Sequence, residues 1–192
     1  MQIGILAVQG AFIEHKHAME KLGASCIEIR QKKDLDSIDG IILPGGESTV
    51  QGKLIHELDM FEPIQKKINN GLPVLATCAG LILLAEEIEN DEARHLATLP
   101  VTVKRNAYGR QLGSFETVGK VGKIDNFTMT FIRAPYITEV SDNVEILSTV
   151  DSRIVGVQYK NQIGLAFHPE LTDDLRIHEA FFNLVQKYKE QG

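Results

Sequence analysis

The sequence predicts an α/β fold, a mostly parallel sheet with antiparallel strands added to it. Two observations carry that prediction. In the first half, short apolar runs alternate with amphipathic ones, the pattern of strands joined by crossover helices. In the second half, Thr, Val, Phe and Gly alternate through residues 96–103, 115–121 and 127–132, as half-buried antiparallel strands or hairpins require.

The elements follow in order. Residues 3–8 form a buried first strand, and residues 13–22 a helix closed by Gly23, because the position just past a helix favours glycine. Residues 26–30, 40–43 and 73–77 supply further strands. Val50, Leu54 and Leu58 recur every four residues, so residues 49–58 are helical. Residues 79–88 are almost wholly apolar and read as a buried helix. Three strand runs fill residues 144–167, broken near Asp151-Ser152 and Asn161-Gln162. In the final helix Ile177, Ala180, Phe181, Leu184, Val185 and Tyr188 make an apolar stripe behind a Thr172 cap, with Asp173 and Asp174 in the first turn.

No repeat, low-complexity tract or linker interrupts the 192 residues, so residues 1–192 are expected to form one domain. A domain of that size buries roughly 70–75% of its unfolded surface. Hydrophobic residues make up 43% of the chain and charged residues 24%. No segment reaches the ~18 consecutive apolar residues of a membrane-spanning helix. The apolar start, residues 1–8, lacks a basic leader and a small-residue cleavage site and is expected to be a strand, not a signal. Two cysteines, Cys26 and Cys78, are too few for a disulfide framework, and a cytoplasmic location is expected. Acidic residues outnumber basic ones, 26 to 20, and the basic ones are dispersed, which argues against a nucleic-acid partner.

Two short segments carry the chemistry. In the first, Pro73-Val74-Leu75-Ala76-Thr77 reads as a strand, Cys78 follows it at once, and the apolar helix follows Cys78. A nucleophile on a sharp strand-to-helix turn is a nucleophile elbow, and Ala76, Ala79 and Gly80 are the small neighbours such a turn needs. A helix N-terminus favours negative charge on the sulfur, and the Ala79 N–H is placed to bind an oxyanion. Cys26, in a β-like run without such a context, reads as a small buried hydrophobe. In the second segment, Phe167-His168-Pro169-Glu170, proline keeps His168 out of helix. Residues two apart in extended chain share a face, so Glu170 can reach the imidazole. A carboxylate orienting an imidazole that faces a thiol is the logic of a catalytic triad.

Other features read as structural. Gly45-Gly46-Glu47-Ser48-Thr49 lacks the spacing of a phosphate-binding loop and sets a carboxylate where phosphate would sit. His15-x-His17 has no third ligand at metal spacing and reads as a helix-surface feature, while His56, His95 and His178 are single histidines without evident partners. From the residues alone, two other classes stay open. One is a cysteine hydrolase or γ-glutamyl peptidase on the same elbow; the other is a flavodoxin-like binding module whose cysteine is structural.

The elbow and the later His-x-Glu resemble the class I glutamine amidotransferases. Across essentially the whole chain, the sequence is similar to the glutaminase subunits of pyridoxal 5'-phosphate synthase. The segments that carry the resemblance include Ile5-Leu6-Ala7-Val8-Gln9-Gly10-Ala11-Phe12, Pro44-Gly45-Gly46-Glu47-Ser48-Thr49, Thr77-Cys78-Ala79-Gly80-Leu81 and Arg105-Asn106-Ala107-Tyr108-Gly109-Arg110-Gln111. Ser114-Phe115-Glu116, Phe131-Ile132-Arg133-Ala134-Pro135 and Phe167-His168-Pro169-Glu170 extend it. Ala76 departs from it, standing where the family has glycine.

The resemblance implies a three-layer sandwich with a flavodoxin-like core, and a triad of Cys78, His168 and Glu170. It implies that Gly46, Glu47 and Ser48 line a glutamine pocket, that Arg105, Ile132 and Arg133 add contacts, and that Gly46 and Ala79 form an oxyanion hole. L-Glutamine would be hydrolysed through a γ-glutamyl thioester without a metal or organic cofactor. The ammonia would pass through a channel to a barrel-fold synthase subunit that makes pyridoxal 5'-phosphate from ribose 5-phosphate and glyceraldehyde 3-phosphate.

Overall fold

Continuous runs of Ile, Leu and Val leave no polar face on a strand, so such strands must be buried on both sides. Four of them form the centre of the structure, a computed structural model that describes residues 1–106 and 113–191. These are β1 (Gln2–Leu6), β3 (Gly40–Leu43), β4 (Val74–Thr77) and β12 (Gln162–Leu165), all parallel and almost wholly buried. β2 (Ser25–Ile29) lies parallel to β1 at one edge.

On the far side of β12 the sheet turns antiparallel through β11 (Arg153–Tyr159) and β9 (Tyr136–Val140), followed by β6 (Leu99–Lys104) and β5 (Ala85–Ile88). β10 (Glu145–Val150) pairs with β11. β6 alternates buried and half-buried residues, the pattern of a strand near an edge. β7 (Ser114–Val121) and β8 (Ile124–Ile132) form a separate hairpin. Phe127 and Phe131 of β8 pack on Phe167, with ring centroids 6.1 and 5.7 Å away, and so fasten the hairpin to the segment that leads to His168.

The helices are α1 (Phe12–Lys21), α2 (Ser48–Glu57), α3 (Phe61–Asn69), α4 (Ala79–Leu84) and α5 (Arg176–Gln191). A side chain at Gly40 would meet Phe181 and Val185 of α5, whereas one at Gly164, in register with Ala76 and Leu43, would meet Leu81 of α4. Residues 40 and 43 of one strand face opposite sides, so α5 and α4 cover opposite faces and the structure has three layers. Gly23 closes α1 with φ +86°, and the N–H groups of Gly23 and Ala24 donate back to Glu20 and Met19 as in a Schellman motif.

Several expectations need correction. The apolar run at 79–88 is not one helix: α4 stops at Leu84, and Ala85–Ile88 turns into β5. Composition could not separate the two, but exposed Glu86 and Glu87 between buried Ala85 and Ile88 give the run an edge-strand character. α2 forms, yet it buries Gln51, Gly52 and Ile55 and leaves Val50 and Leu58 exposed, so its inner face is not the Val50, Leu54, Leu58 stripe. Thr172 does not cap α5. It accepts from Asp174 N–H, and Asp174 in turn accepts the Arg176 N–H at 3.1 Å, so both aspartates precede the helix. α3 and β9 were not anticipated. The resemblance at 107–111 falls outside the described residues. Ala76 lies buried in β4 beside Gly164, where its methyl is accommodated.

Gly80 shows how tightly α4 sits on the sheet. A Cβ there would overlap the Leu43 carbonyl oxygen, a backbone atom that cannot swing aside. Gly80→Ala should therefore destabilise the protein by about 3 kcal/mol despite alanine's better helix propensity. Thermal unfolding should register that as a fall in Tm of roughly 6–12 °C.

Candidate active site

The chemistry-bearing residues converge because four parallel strands end on one side of the sheet. β4 and β12 are neighbours with Thr77 opposite Leu165, so Cys78 and residues 166–168 leave the sheet side by side. The Cys78 N–H donates to the Leu165 carbonyl at 2.8 Å. β3 flanks β4 on its other side and delivers residues 44–47, and β1 delivers residues 8–11. A crevice at the carboxyl ends of parallel strands is where open α/β sheets build their sites.

Cys78 stands alone between β4 and α4 with φ +49° and ψ −103°. A non-glycine residue held there carries about 1–3 kcal/mol of strain, which the surrounding packing must hold. The sulfur lies 3.9 Å from the Ile132 carbonyl oxygen and lines the same cavity as the His168 ring. Ala79 is the first residue of α4, so its N–H has no intrahelical partner.

His168 is fixed on three sides. Its backbone N–H donates to the Thr130 carbonyl at 2.8 Å, and its ring lies so close over Gly45 that any side chain there would displace it. Its Nδ1 is 2.7 Å from Glu170 Oε1. Glu170 makes that reach from inside a 3₁₀ turn, Pro169–Leu171, and not by the alternation of an extended chain. Burial opposes charge on the imidazole, but the neighbouring Cys78 and the hydrogen bond to Glu170 prevail and push its pKa up to about 10. The ring is thus protonated at neutral pH. Burial also opposes charge on Glu170, yet His15 and His168 hold its carboxyl below the usual range.

Behind the carboxylate lies a cluster that sequence reasoning missed. His15 is fully buried, not a surface residue of α1, and His178 is not without a partner: His15 Nδ1 and His178 Nε2 are 2.9 Å apart. His15 Nε2 is 3.2 Å from Thr77 Oγ1 and 3.4 Å from Glu170 Oε2. A signal was present. His15 shares its helix face with Ala18, Met19 and Leu22, and His178 shares one with Phe181 and Val185. A histidine on an apolar stripe is an inside residue, and an inside imidazole needs partners. His17 is exposed, and His56 stacks on Phe61 with ring centroids 4.1 Å apart.

Cys78, Ala79 and His168 open onto a cavity of about 550 Å³, within the usual range for small-molecule sites. Gly46, Glu47 and Ser48 form one wall, and Arg105, Ile132 and Arg133 another; Glu170 lies behind His168. The 44–47 loop is held by bonds that were not foreseen: Glu47 N–H to Gln9 Oε1 at 2.8 Å, and Gln51 Nε2 to the Gln9 and Pro44 carbonyls at 3.0 and 3.1 Å. Arg105 Nη1 contacts Asp91 Oδ2 at 3.2 Å and Thr49 Oγ1 at 3.4 Å, while its Nε and Nη2 are buried with no acceptor among the described residues. A guanidinium with two spare donors beside a cavity suits a carboxylate. Among the described residues, no group of three or more His, Cys, Asp or Glu side chains is arranged to hold a metal ion, and no helix is long and apolar enough to cross a membrane.

The profile of the SNO glutamine amidotransferase family matches residues 5–187. The chain is 63% identical over 186 residues to the pyridoxal 5'-phosphate synthase subunit PdxT of Desulfitobacterium hafniense (strain DSM 10664 / DCB-2), covering 96% of this chain and 94% of that one. It is 50% identical over 191 residues to the subunit of the same name from Streptococcus pneumoniae (strain ATCC 700669 / Spain 23F-1), covering 97% and 99%. A crystal structure of a glutamine amidotransferase superposes with a TM-score of 0.92 at 40% identity, over 96% of this chain and 98% of that one.

Proposed function

The chain belongs to the SNO glutamine amidotransferase family, and from that premise we propose that it is the glutaminase subunit of a pyridoxal 5'-phosphate synthase. It hydrolyses L-glutamine to L-glutamate and ammonia, and the ammonia is channelled to a barrel-fold synthase subunit that joins it with ribose 5-phosphate and glyceraldehyde 3-phosphate. The observation that carries the reading is the alignment of three groups. Cys78 stands on a strained elbow and lines one cavity with His168, whose Nδ1 lies 2.7 Å from Glu170.

In the proposed mechanism the Cys78 sulfur attacks the side-chain amide carbon of glutamine, and the oxyanion is held by the N–H groups of Gly46 and Ala79. Arg105 takes the α-carboxylate through its spare donors, with Gly46, Glu47, Ser48, Ile132 and Arg133 shaping the pocket. The tetrahedral intermediate collapses as protonated His168 hands its proton to the departing nitrogen, giving ammonia and a γ-glutamyl thioester. The imidazole, now neutral, takes a proton from water as the water attacks the thioester. Collapse of the second intermediate breaks the C–S bond, releases glutamate and restores the starting pair of sulfur and protonated ring. Glu170 orients the ring and stabilises its charge throughout.

Free ammonia would be protonated and lost in water, which gives the channel its purpose. Ile13, Val50 and Ile132, 41%, 44% and 37% exposed, lie in or within two residues of the cavity wall and offer a partner an apolar rim. Glutamate formation should be weak for the protein alone and rise by about 10-fold or more with the synthase subunit, as expected when docking completes an oxyanion hole. Equal turnover with and without the synthase would refute the partner dependence. Absence of glutamine turnover in the complex would refute the function, and preference for γ-glutamyl peptides would indicate a peptidase.

A further inference from the structure

We propose that His15, held in one tautomer by His178, is a positioning residue whose Nε2–H faces the second oxygen of Glu170 and keeps that carboxylate ionised and aimed at His168. The inference rests on the glutaminase reading for its kinetic consequence but on geometry alone for its structure. Glu170 has two oxygens. Oε1 is 2.7 Å from His168, and Oε2 is buried without a hydrogen-bond partner among the described residues, with His15 Nε2 at 3.4 Å. The same Nε2 is hydrogen-bonded at 3.2 Å to Oγ1 of Thr77, the residue before the nucleophile, so His15 ties the elbow while it faces the carboxylate.

The tautomer follows from counting protons. If the His15 proton sat on Nδ1, it would donate to His178 Nε2, 2.9 Å away. His178 would then carry its own proton on Nδ1, which is buried with no acceptor among the described residues, and the His15 Nε2 lone pair would face a carboxylate oxygen. With the proton on Nε2, His178 Nε2–H donates to His15 Nδ1, Glu170 Oε2 faces an N–H in place of a lone pair, and the unmet nitrogen of His178 carries no proton. A buried N–H without an acceptor is the costlier defect, so the second arrangement wins. Burial lowers the pKa of both rings, that of His178 to about 3, so His15 acts on the carboxylate through the dipole of its N–H. The ionisable groups facing His15 are Glu14 on its own helix, His168 and Glu170 on the 3₁₀ segment and His178 on α5.

The test measures glutaminase activity of the full complex against pH for the wild type, His15→Leu and His15→Gln. Glutamine's amide nitrogen lies near the place of Nε2 and can donate as it does. The carboxylate is active above its depressed pKa and lost as pH falls through it, so removing a donor must move the acid limb of kcat/KM upward. His15→Leu should lower kcat by about 10- to 100-fold with little change in KM and raise the acid limb by about one pH unit; His15→Gln should restore both. An unmoved acid limb in His15→Leu, or equal losses in the two variants, would overturn the proposal. In wild-type protein, long-range ¹H–¹⁵N NMR should show the His15 proton on Nε2, and a proton on Nδ1 would overturn it without any variant having to fold. If the wild-type complex itself does not hydrolyse glutamine, the glutaminase reading fails, while the NMR result still decides the tautomer.

Discussion

Cys78→Ala should abolish glutamine hydrolysis, a fall of about 10⁴-fold or more in kcat, while leaving the fold in place. Among the described residues, the hydroxyl groups lining the cavity, Ser48 and Thr49, lie on another wall and neither stands on a nucleophile elbow. The loss is chemical and not structural. Alanine at φ +49° carries much the same backbone strain as cysteine, and the methyl it leaves still fills most of the site. Tm should therefore stay within a few degrees of wild type. Steady-state glutamate release, measured with a thermal melt on the same preparation, checks both halves.

Glu170→Gln should cost about 10³- to 10⁴-fold in kcat although it removes only a charge and adds one N–H₂ group. One carboxylate oxygen pairs with His168 at 2.7 Å, and the other faces His15 Nε2 at 3.4 Å. Glutamine has a single oxygen, so whichever way its amide turns, an N–H₂ opposes a ring nitrogen in a buried site. Turned toward His168, it forces the ring into the tautomer that cannot both hold its orienting bond and exchange a proton with sulfur. Turned toward His15, it breaks the supporting chain instead. Either way the charge that stabilises the imidazolium is lost, and KM should change much less than kcat. Kinetics over a range of glutamine concentrations distinguishes this from a pocket defect.

The parts of this site that were legible in the sequence are those with a local cause. A strand of Val74, Leu75, Ala76 and Thr77 running straight into Cys78 and a helix leaves one geometry for the cysteine, and Pro169 keeps His168 out of helix. That β4 and β12 lie side by side is a matter of topology, and no spacing between residues 78 and 168 encodes it. The His15–His178 pair spans 163 residues and was invisible for the same reason, although each ring's place on an apolar stripe marked it as buried. Ala85–Ile88 misled because a short apolar run suits helix and strand alike, and only pairing with β6 decides. The α2 stripe misled because Gln51 and Gly52 face inward for specific reasons, bonds to the 44–47 loop and room for the His95 ring.

The central claim is that Cys78, and no other group, attacks the substrate amide. A glutamine-mimicking diazoketone, incubated with the protein and its synthase partner and followed by intact and peptide mass spectrometry, tests it most directly. Cys26 is the internal control, since burial pushes its thiol up to about 11 and leaves it a poor nucleophile at neutral pH. The account predicts one adduct, on Cys78, suppressed by excess glutamine and absent in Cys78→Ala. An adduct on Cys26 or elsewhere with Cys78 unmodified, or no adduct in the complex, would contradict it.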